Sequence, residues 1–457
     1  MHSSRRAHKR QVVAGKWILG IDPAKERHTA ILVDPSGDTQ GSSFSFKVTA
    51  QGFRESLPKL LTGRLPTASP EHVLIAVETA CNLWQTIAAF CHGQGYTVLL
   101  VNPLTTYHSR PLQDHDFSRT DPKDARLIAE NAQKGHFDTY RIFDPGLNAL
   151  HQLSIARHKL VKDKTRARLR LRSFVELYFP EFLNALDLGT KSALHLLRRH
   201  FLPRHFLTLD LPQEAEALRK LSRGNHGSDT LQRLRQWAGE SIGLPVDSVL
   251  EQVVRQTLYV WLDQLELLQR QLAAIDTQMA ERAAKLPEFK LLTSIPNIGN
   301  CLAAGLIAEC RGLAPGVHPK QLEKFAGLNL RLAESGTYSG QRRISRIGNA
   351  RLRCVLYQMA VQTCQSVPYV RRRYLQRQLK HPAYRKNVVA AISQLLKLVC
   401  ALVNEQRPYE TRTGEWTEVR KLERKLKPTT NKKPTQRRSV HRLGNPNERP
   451  RRRRKAA

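Results

Sequence analysis

Four carboxylates in the first third of the chain have the types and placement for chemistry. Asp22 ends the apolar run WILGID, and Glu78 ends VLIAVE. Asp121 and Asp124 sit three apart in RTDPKDARLIA, at what reads as a helix start. Two strand ends and one helix face are a way to hold hard divalent cations, which prefer oxygen ligands. Mg²⁺ is the natural ion, because it takes few carboxylates and leaves room for phosphate, with Mn²⁺ as the alternative. Two such ions can activate an attacking oxygen and stabilise a leaving one. The chemistry this implies is cutting or joining nucleic acid. Singly, each acid has a bland reading: Asp22 as a turn residue, Glu78 as the partner of a lysine. Their order along the chain carries the inference.

The elements that must position them are legible from periodicity. Residues 17–48 read as a β-meander, WILGID, HTAILVD and SSFSFKV, with the turn PSGD between the last two. A helix at 51–62, the strand VLIAVE, a helix at 82–94, the strand TVLLVN and a helix from about 121 follow. Paired strands followed by strand–helix alternation indicate an α/β layer with a mixed sheet. In the ribonuclease-H-like version of that layer the carboxylates meet at one end of the sheet.

The boundaries expected are a disordered basic leader at 1–16, the α/β domain at 17–144, a helical or coiled-coil region at 145–285, a mostly α unit at 286–405 and a disordered basic tail at 406–457. The helical region rests on charged runs of 3.5–3.6 period, with a less regular insertion at 201–245. In the next unit, Pro-Asn-Ile-Gly between two helical runs reads as a helix–hairpin–helix. There Asn297 and Gly299 would offer backbone to a phosphate, although an ordinary helix–helix turn fits equally. Asn297 tolerates the left-handed backbone such a turn needs. The following GLNLRLAESGTYSGQRRISRIGNARLR reads as basic loops facing a polyanion.

The bulk properties agree with that partner. With 457 residues, two or three domains are expected. A net charge of +35 and a pI near 10.4 are the electrostatic footprint of a nucleic-acid binder. A membrane partner is set aside: no lipidation motif or amphipathic anchor accompanies the charge, no apolar run is expected to reach membrane-spanning length, and the N-terminus lacks a signal-peptide apolar region. The seven cysteines form no CxxC pair, so buried free thiols in a reducing, cytoplasmic setting are expected rather than disulfides or zinc. The tail, dense in Lys and Arg with RPRRRRK at 449–455, would add salt-dependent affinity.

Two blocks of motifs then narrow the class. GIDPAKERHTA, VETACNLW, VNPLTTYHSR and TDPKDARLIA resemble the DEDD insertion-sequence transposases with a RuvC-like N-terminal domain. SIPNIGNCLAAGLIAE, KFAGLNLRLAESG and RRISRIGNARLRCVLYQMA resemble that family's C-terminal transposase domain. The resemblance covers roughly 17–180 and 286–405. It implies that Asp22, Glu78, Asp121 and Asp124 are catalytic metal-binding acids and that Ser335 is a catalytic serine. The implied reaction is DNA strand exchange through a phosphoserine. It also implies donor and target DNA, a structured guide RNA encoded by the element, and dimers or tetramers whose composite site joins acids and serine from different subunits. Four departures stand out: PNIG where the family often has PGIG, GLNL at its GLxP step, the long middle and the extra basic tail.

Residue chemistry alone leaves alternatives beside this. Ser335, Ser339 and Ser345 are local rivals, since a serine needs a base, a metal or positive charge to attack. Arg342, Arg343 and Arg346 are placed to clamp a phosphate. Tyr107, His108 and Arg110 are candidates to touch nucleic acid. Lys25 reads equally as a phosphate contact or a solvated turn residue, and His28 and Trp84 read first as strand and core residues. The rival functions are a junction-resolving hydrolase, with the same acids and water as nucleophile, and a non-enzymatic nucleic-acid binder.

Overall fold

The protein is described by a computed structural model. It describes residues 2–80, 82–114, 118–331, 334–335, 338–340, 343–411 and 414–426. The chain divides into two compact units, residues 1–142 and 143–457.

Unit 1 is built on a six-stranded mixed sheet in the order β3-β2-β1-β4-β5-β6. The strands are β1 (Trp17–Asp22), β2 (Arg27–Val33), β3 (Phe44–Lys47), β4 (Val73–Glu78), β5 (Thr97–Val101) and the short β6 (Asp138–Thr139). The first three form the antiparallel meander, β4 and β5 run parallel to β1, and β6 closes the edge antiparallel. Alternation divides the side chains between two cores. Leu19, Ile21, Ile75 and Val77 face Phe44, Phe46, Phe53 and Ile87. Ile18, Ile31, Leu74, Ala76 and Leu99 face the opposite layer with Ala125, Ile128, Ala129 and Ala132. With both faces covered, central strands read as continuous apolar runs.

The leader is not the disordered segment expected. Residues His2–Val13 form a helix, α1. Its end is anchored: Val13 is buried in the second core, and Lys9 pairs with Asp138 at 3.4 Å and lies 4.9 Å from the Phe137 ring. An apolar foot and one lysine stem thus offset the ordering of a basic helix. Unit 1 contributes α2 (Pro103–Ser109) and α3 (Asp121–Gln133).

Among the described residues, the regular elements of unit 2 are helices and four two-residue strands. Two long helices, α4 (Pro145–Tyr178) and α5 (Ser248–Ala283), are joined by the Arg157–Asp276 ion pair at 2.5 Å. The segment between them, expected to be irregular, has its own core. Phe179, Phe182, Phe201 and Phe206 pack with Leu231, Leu258 and Leu262. The helices that concern the site are α6 (Pro287–Thr293), α7 (Asn300–Cys310), α8 (Ala350–Ser366), α9 (Pro368–Gln378), α10 (Tyr384–Glu405) and α11 (Glu415–Leu426). Leu150, Met279 and Ala283 of the long helices join their core, so residue 285 is not a packing boundary.

Two further expectations change. Helix α11 lies where the tail was expected to be disordered, held to α9 by Arg371–Glu423 and Arg372–Glu418; residues 427–457 lie outside the described residues. Helix α10 is long and apolar enough to cross a membrane by length and composition. Its Val388, Ile392, Leu395, Leu396 and Val399 are buried in the core, which accounts for its apolarity. Cys91, Cys364 and Cys400 are buried free thiols, whereas Cys354 is exposed; Cys81 lies outside the described residues.

Candidate functional site

The four acids share one end of the unit 1 sheet. Ile21 pairs with Val77 across the parallel β1–β4 ladder, which makes Asp22 and Glu78 neighbours at the C-terminal ends of adjacent strands. The other two acids arrive on α3 (Asp121–Gln133), both in its first turn. Spacing of three puts them on one face. Pro122 suits this first turn, and the helix N-terminus favours carboxylates there.

Gly20 sets how near α3 comes to β1. A Cβ there would stand 2.2 Å from the Ala125 carbonyl oxygen and 2.9 Å from the Ala129 backbone nitrogen. The strand can therefore touch the helix backbone only because residue 20 has no side chain. That contact brings Asp124 beside Asp22.

The electrostatics record the crowding. Burial first, then the neighbouring Asp124, Glu78 and Asp121, raise Asp22 from its ordinary value to about 7, against a lowering by Arg110. Glu78, 7% exposed, is likewise raised by burial and then by Asp124. Asp121 is exposed and Asp124 is buried.

The countercharge comes from a residue whose part the sequence did not reveal. Arg110 follows α2 (Pro103–Ser109), a helix capped by the Asn102 side chain. Its Nε and Nη2 donate to Oδ1 and Oδ2 of Asp124, both at 2.9 Å. The two side chains are 8% and 13% exposed. In this structure Arg110 is committed to an acid. The signal in the sequence was only an arginine fourteen positions before an aspartate. Nearby, Ser109 donates to Asn131 at 2.9 Å, tying the end of α2 to α3.

As donors, four carboxylates suit a hard divalent cation. As placed, among the described residues no three acidic, histidine or cysteine groups are arranged to hold an ion. Both oxygens of Asp124 face Arg110 instead.

The other unit 1 candidates sort cleanly. His28 is fully buried, and its Nδ1 accepts from the Ala24 N–H at 3.1 Å. Burial lowers its pKa to about 4. It acts as a neutral brace for the turn after Asp22. Trp84 packs edge-on to Tyr140 against the core. Tyr107 and His108 remain exposed, and Lys25 is exposed in the turn.

In unit 2 the stretch expected to be loops forms short antiparallel pairs. Leu330–Arg331 (β7) pairs with Arg343–Ile344 (β10), and Glu334–Ser335 (β8) with Tyr338–Ser339 (β9). Ser335 is exposed and sits opposite Tyr338. Ser345 is no rival to it: it is buried and its Oγ donates to Asn329 Oδ1 at 2.7 Å. The side chain of Ser339 and the whole of Arg342 lie outside the described residues. Arg343 and Arg346 are exposed. Arg346 takes a left-handed φ of 58°, and its N–H donates to the Gly327 carbonyl at 2.9 Å.

The chain that follows the ribbon is tied to a buried acid. Glu309, 1% exposed, accepts from Ser154 at 2.8 Å, Asn349 at 2.8 Å and Arg351 at 2.9 Å. Burial pushes its carboxyl up, and these hydrogen bonds outweigh that and hold it below its ordinary value. Asn349 in turn caps α8, accepting from the N–H groups of Arg351 and Leu352.

At the Pro-Asn-Ile-Gly turn, Asn297 has the left-handed φ of 64° that its residue type allows. Asn297 and Gly299 are exposed and line an open depression of about 600 Å³ with Ser294, Pro296 and Gln362. The turn therefore presents backbone to solvent next to the start of α7.

Comparison with known families places both regions. Residues 19–180 match the DEDD transposase domain model, and residues 289–376 match the model of the transposase IS116/IS110/IS902 family. Comparison with curated proteins gives no match. The first match contains all four acids and the second contains Ser335. The two lie in the order the sequence motifs required and together span more than half of the chain, which belongs to the IS110-type transposases and is a DNA transposase/recombinase.

Proposed function

We propose that this transposase moves an insertion sequence by serine-based strand exchange. Ser335 Oγ attacks a DNA phosphorus. One P–O bond to serine forms as one P–O bond within the DNA breaks, and the departing oxygen takes a proton. The exchanged end later attacks the phosphoserine, so the phosphodiester is re-formed without an outside energy source. A divalent ion bound by Asp22, Glu78, Asp121 and Asp124 supplies Lewis-acid assistance. Mg²⁺, two ions where phosphate completes the shell, suits this donor set.

The observation that carries the reading is the meeting of four acids at one sheet end in a chain with transposase matches over both units. The exposure of Ser335 beside the buried, hydrogen-bonded Ser345 supports the choice of nucleophile. The sheet order and the acids at its strand ends support a ribonuclease-H-like, RuvC-like assignment for unit 1. Exposed Arg343 and Arg346 would engage phosphate, and Arg342 is proposed with them on sequence alone. The exposed turn at Asn297 and Gly299 would meet a backbone phosphate in the manner of a helix–hairpin–helix. A structured RNA guide and a dimer or tetramer complete the proposed assembly, for which the +35 charge provides the attraction.

Trapping tests the reaction. Protein, the element's flanking RNA, Mg²⁺ and labelled junction DNA are incubated and denatured. A protein–DNA adduct absent in Ser335→Ala and present in Ser339→Ala is the expected result. Cleavage without adduct, unchanged in Ser335→Ala, would assign the acids to a water-using hydrolase instead.

A further inference from the structure

We infer that Arg110 is a built-in placeholder for the metal: its guanidinium grips Asp124 in the ion-free site and must yield that carboxylate when a divalent cation binds. The inference rests on the metal reading above and adds a residue that opposes loading.

Three observations carry it. The grip is bidentate, with both N···O distances 2.9 Å, so both Asp124 oxygens carry a strong donor. The pair is nearly dry, with side chains 8% and 13% exposed, so water cannot replace either partner at low cost. Finally, among the described residues no three candidate donors are arranged to hold an ion, although four acids stand together. The arrangement thus lacks its convergence where the guanidinium stands. A cluster of carboxylates without a cation would repel itself. Arg110 relieves that repulsion at Asp22, Glu78 and Asp124, with Arg119 acting on Glu78 beside it, and ties α3 to the end of α2. An incoming ion offers Asp124 more charge at shorter range, and the arginine is then free to turn toward another anion. Metal and Arg110 therefore compete for one carboxylate, which couples them negatively.

The opposite role is equally concrete. A residue that merely orients a ligand strengthens metal binding, and its loss weakens affinity by about 10–100-fold. Titration of Mn²⁺ into the full-length protein, followed by the loss of the free-ion electron paramagnetic resonance signal, separates the two. Arg110→Gln is expected to bind Mn²⁺ roughly tenfold tighter than wild type, the size of an ordinary coupling between two ligands. Its ion-free melting temperature should fall and be recovered by Mn²⁺. Arg110→Lys keeps the charge but cannot grip both oxygens. It guards against a Gln variant that does not fold, and should bind severalfold tighter. Affinity that is unchanged or weaker in the variants, with wild type still binding, overturns the placeholder and leaves the metal reading standing. Absence of binding in wild type and in both variants overturns both.

Discussion

In unit 1 the reactive groups stand at the ends of adjacent parallel strands and on a helix pressed backbone-to-backbone against one of them. In unit 2 the serine stands exposed on a ribbon of two-residue strands, and the segment that follows the ribbon is tied by Asn349 to the buried Glu309. The first region stores electrostatic tension, with Asp22 raised to about 7 by burial and its acidic neighbours. The second keeps its buried charge, Glu309, satisfied some distance along the chain from the serine. A site for a cation has to be rigid and crowded before the cation comes. A nucleophile that must meet a large DNA substrate is better placed on an exposed edge. Substitutions of the reactive groups should therefore act differently in the two regions, on stability as well as reaction in the first and on reaction alone at the exposed serine of the second.

The largest effect expected is at Asp124. Asp124→Ala leaves Arg110 buried without its partner, and loss of one member of a buried pair costs about 3–5 kcal/mol. Urea unfolding monitored in the absence of divalent ions reads this directly. A cost under about 1 kcal/mol, the range of exposed pairs, would mean that the pair is hydrated and the first region not tightly built.

Gly20→Ala comes next. The added methyl would sit 2.2 Å from a carbonyl oxygen, and backbone cannot swing aside as a side chain can. Overpacking of this kind costs about 1–3 kcal/mol. Because the displaced element is α3, the same variant should lose divalent-ion affinity while every acid is still present. Unaltered ion binding in a destabilised Gly20→Ala protein would separate packing from the site and remove the link argued between them.

Asp22→Asn should change stability in the other direction. Its folded pKa, about 7, lies above the ordinary carboxylate value of 3.8. Between those values the folded protein holds a proton that the unfolded chain releases. The ion-free protein therefore loses stability as pH rises through that window, and the penalty is fully present above pH 7. Asparagine removes it. The variant should be more stable than wild type at pH 8 by about 1–3 kcal/mol, with the difference vanishing near pH 4. Saturating Mg²⁺ should flatten the wild-type slope as well. A wild-type pH profile that is flat without ions would contradict the crowding.

How far each region could be read from the sequence follows the same division. The sheet was legible because strands buried on both faces write themselves as apolar runs, as in VLIAVE and TVLLVN, and the acids mark where those runs stop. Arg110 was not, because an ion pair across fourteen residues leaves no period in the chain. The helix at 2–13 was hidden for a related reason: its composition is basic and polar, and its described anchors are Val12, Val13 and the stem of Lys9 at its end. The left-handed Asn297 was readable from its residue type. The ribbon around Ser335 was not, since strands of two residues are too short to alternate, and Gly, Ser and Arg are the letters of loops. Nor does a sequence distinguish Ser335 from Ser345. That difference is made by Asn329, sixteen residues away, which takes the hydroxyl of one and leaves the other at the surface.

The smallest effect expected on stability is at Ser335 itself. Its side chain is exposed, so alanine should change unfolding free energy by no more than about 0.5 kcal/mol. Ser345→Ala, by contrast, breaks a buried hydrogen bond and leaves Asn329 Oδ1 without that donor, which costs about 1–3 kcal/mol. If Ser335 is the nucleophile, its alanine variant combines wild-type stability with complete loss of the covalent adduct, while Ser345→Ala loses stability and keeps some adduct. Measuring unfolding and adduct formation on the same two preparations distinguishes a reacting group from one that shapes the ribbon. An adduct lost only in proportion to stability, in both variants, would place Ser335 among the shaping residues and move the search for the nucleophile to Ser339.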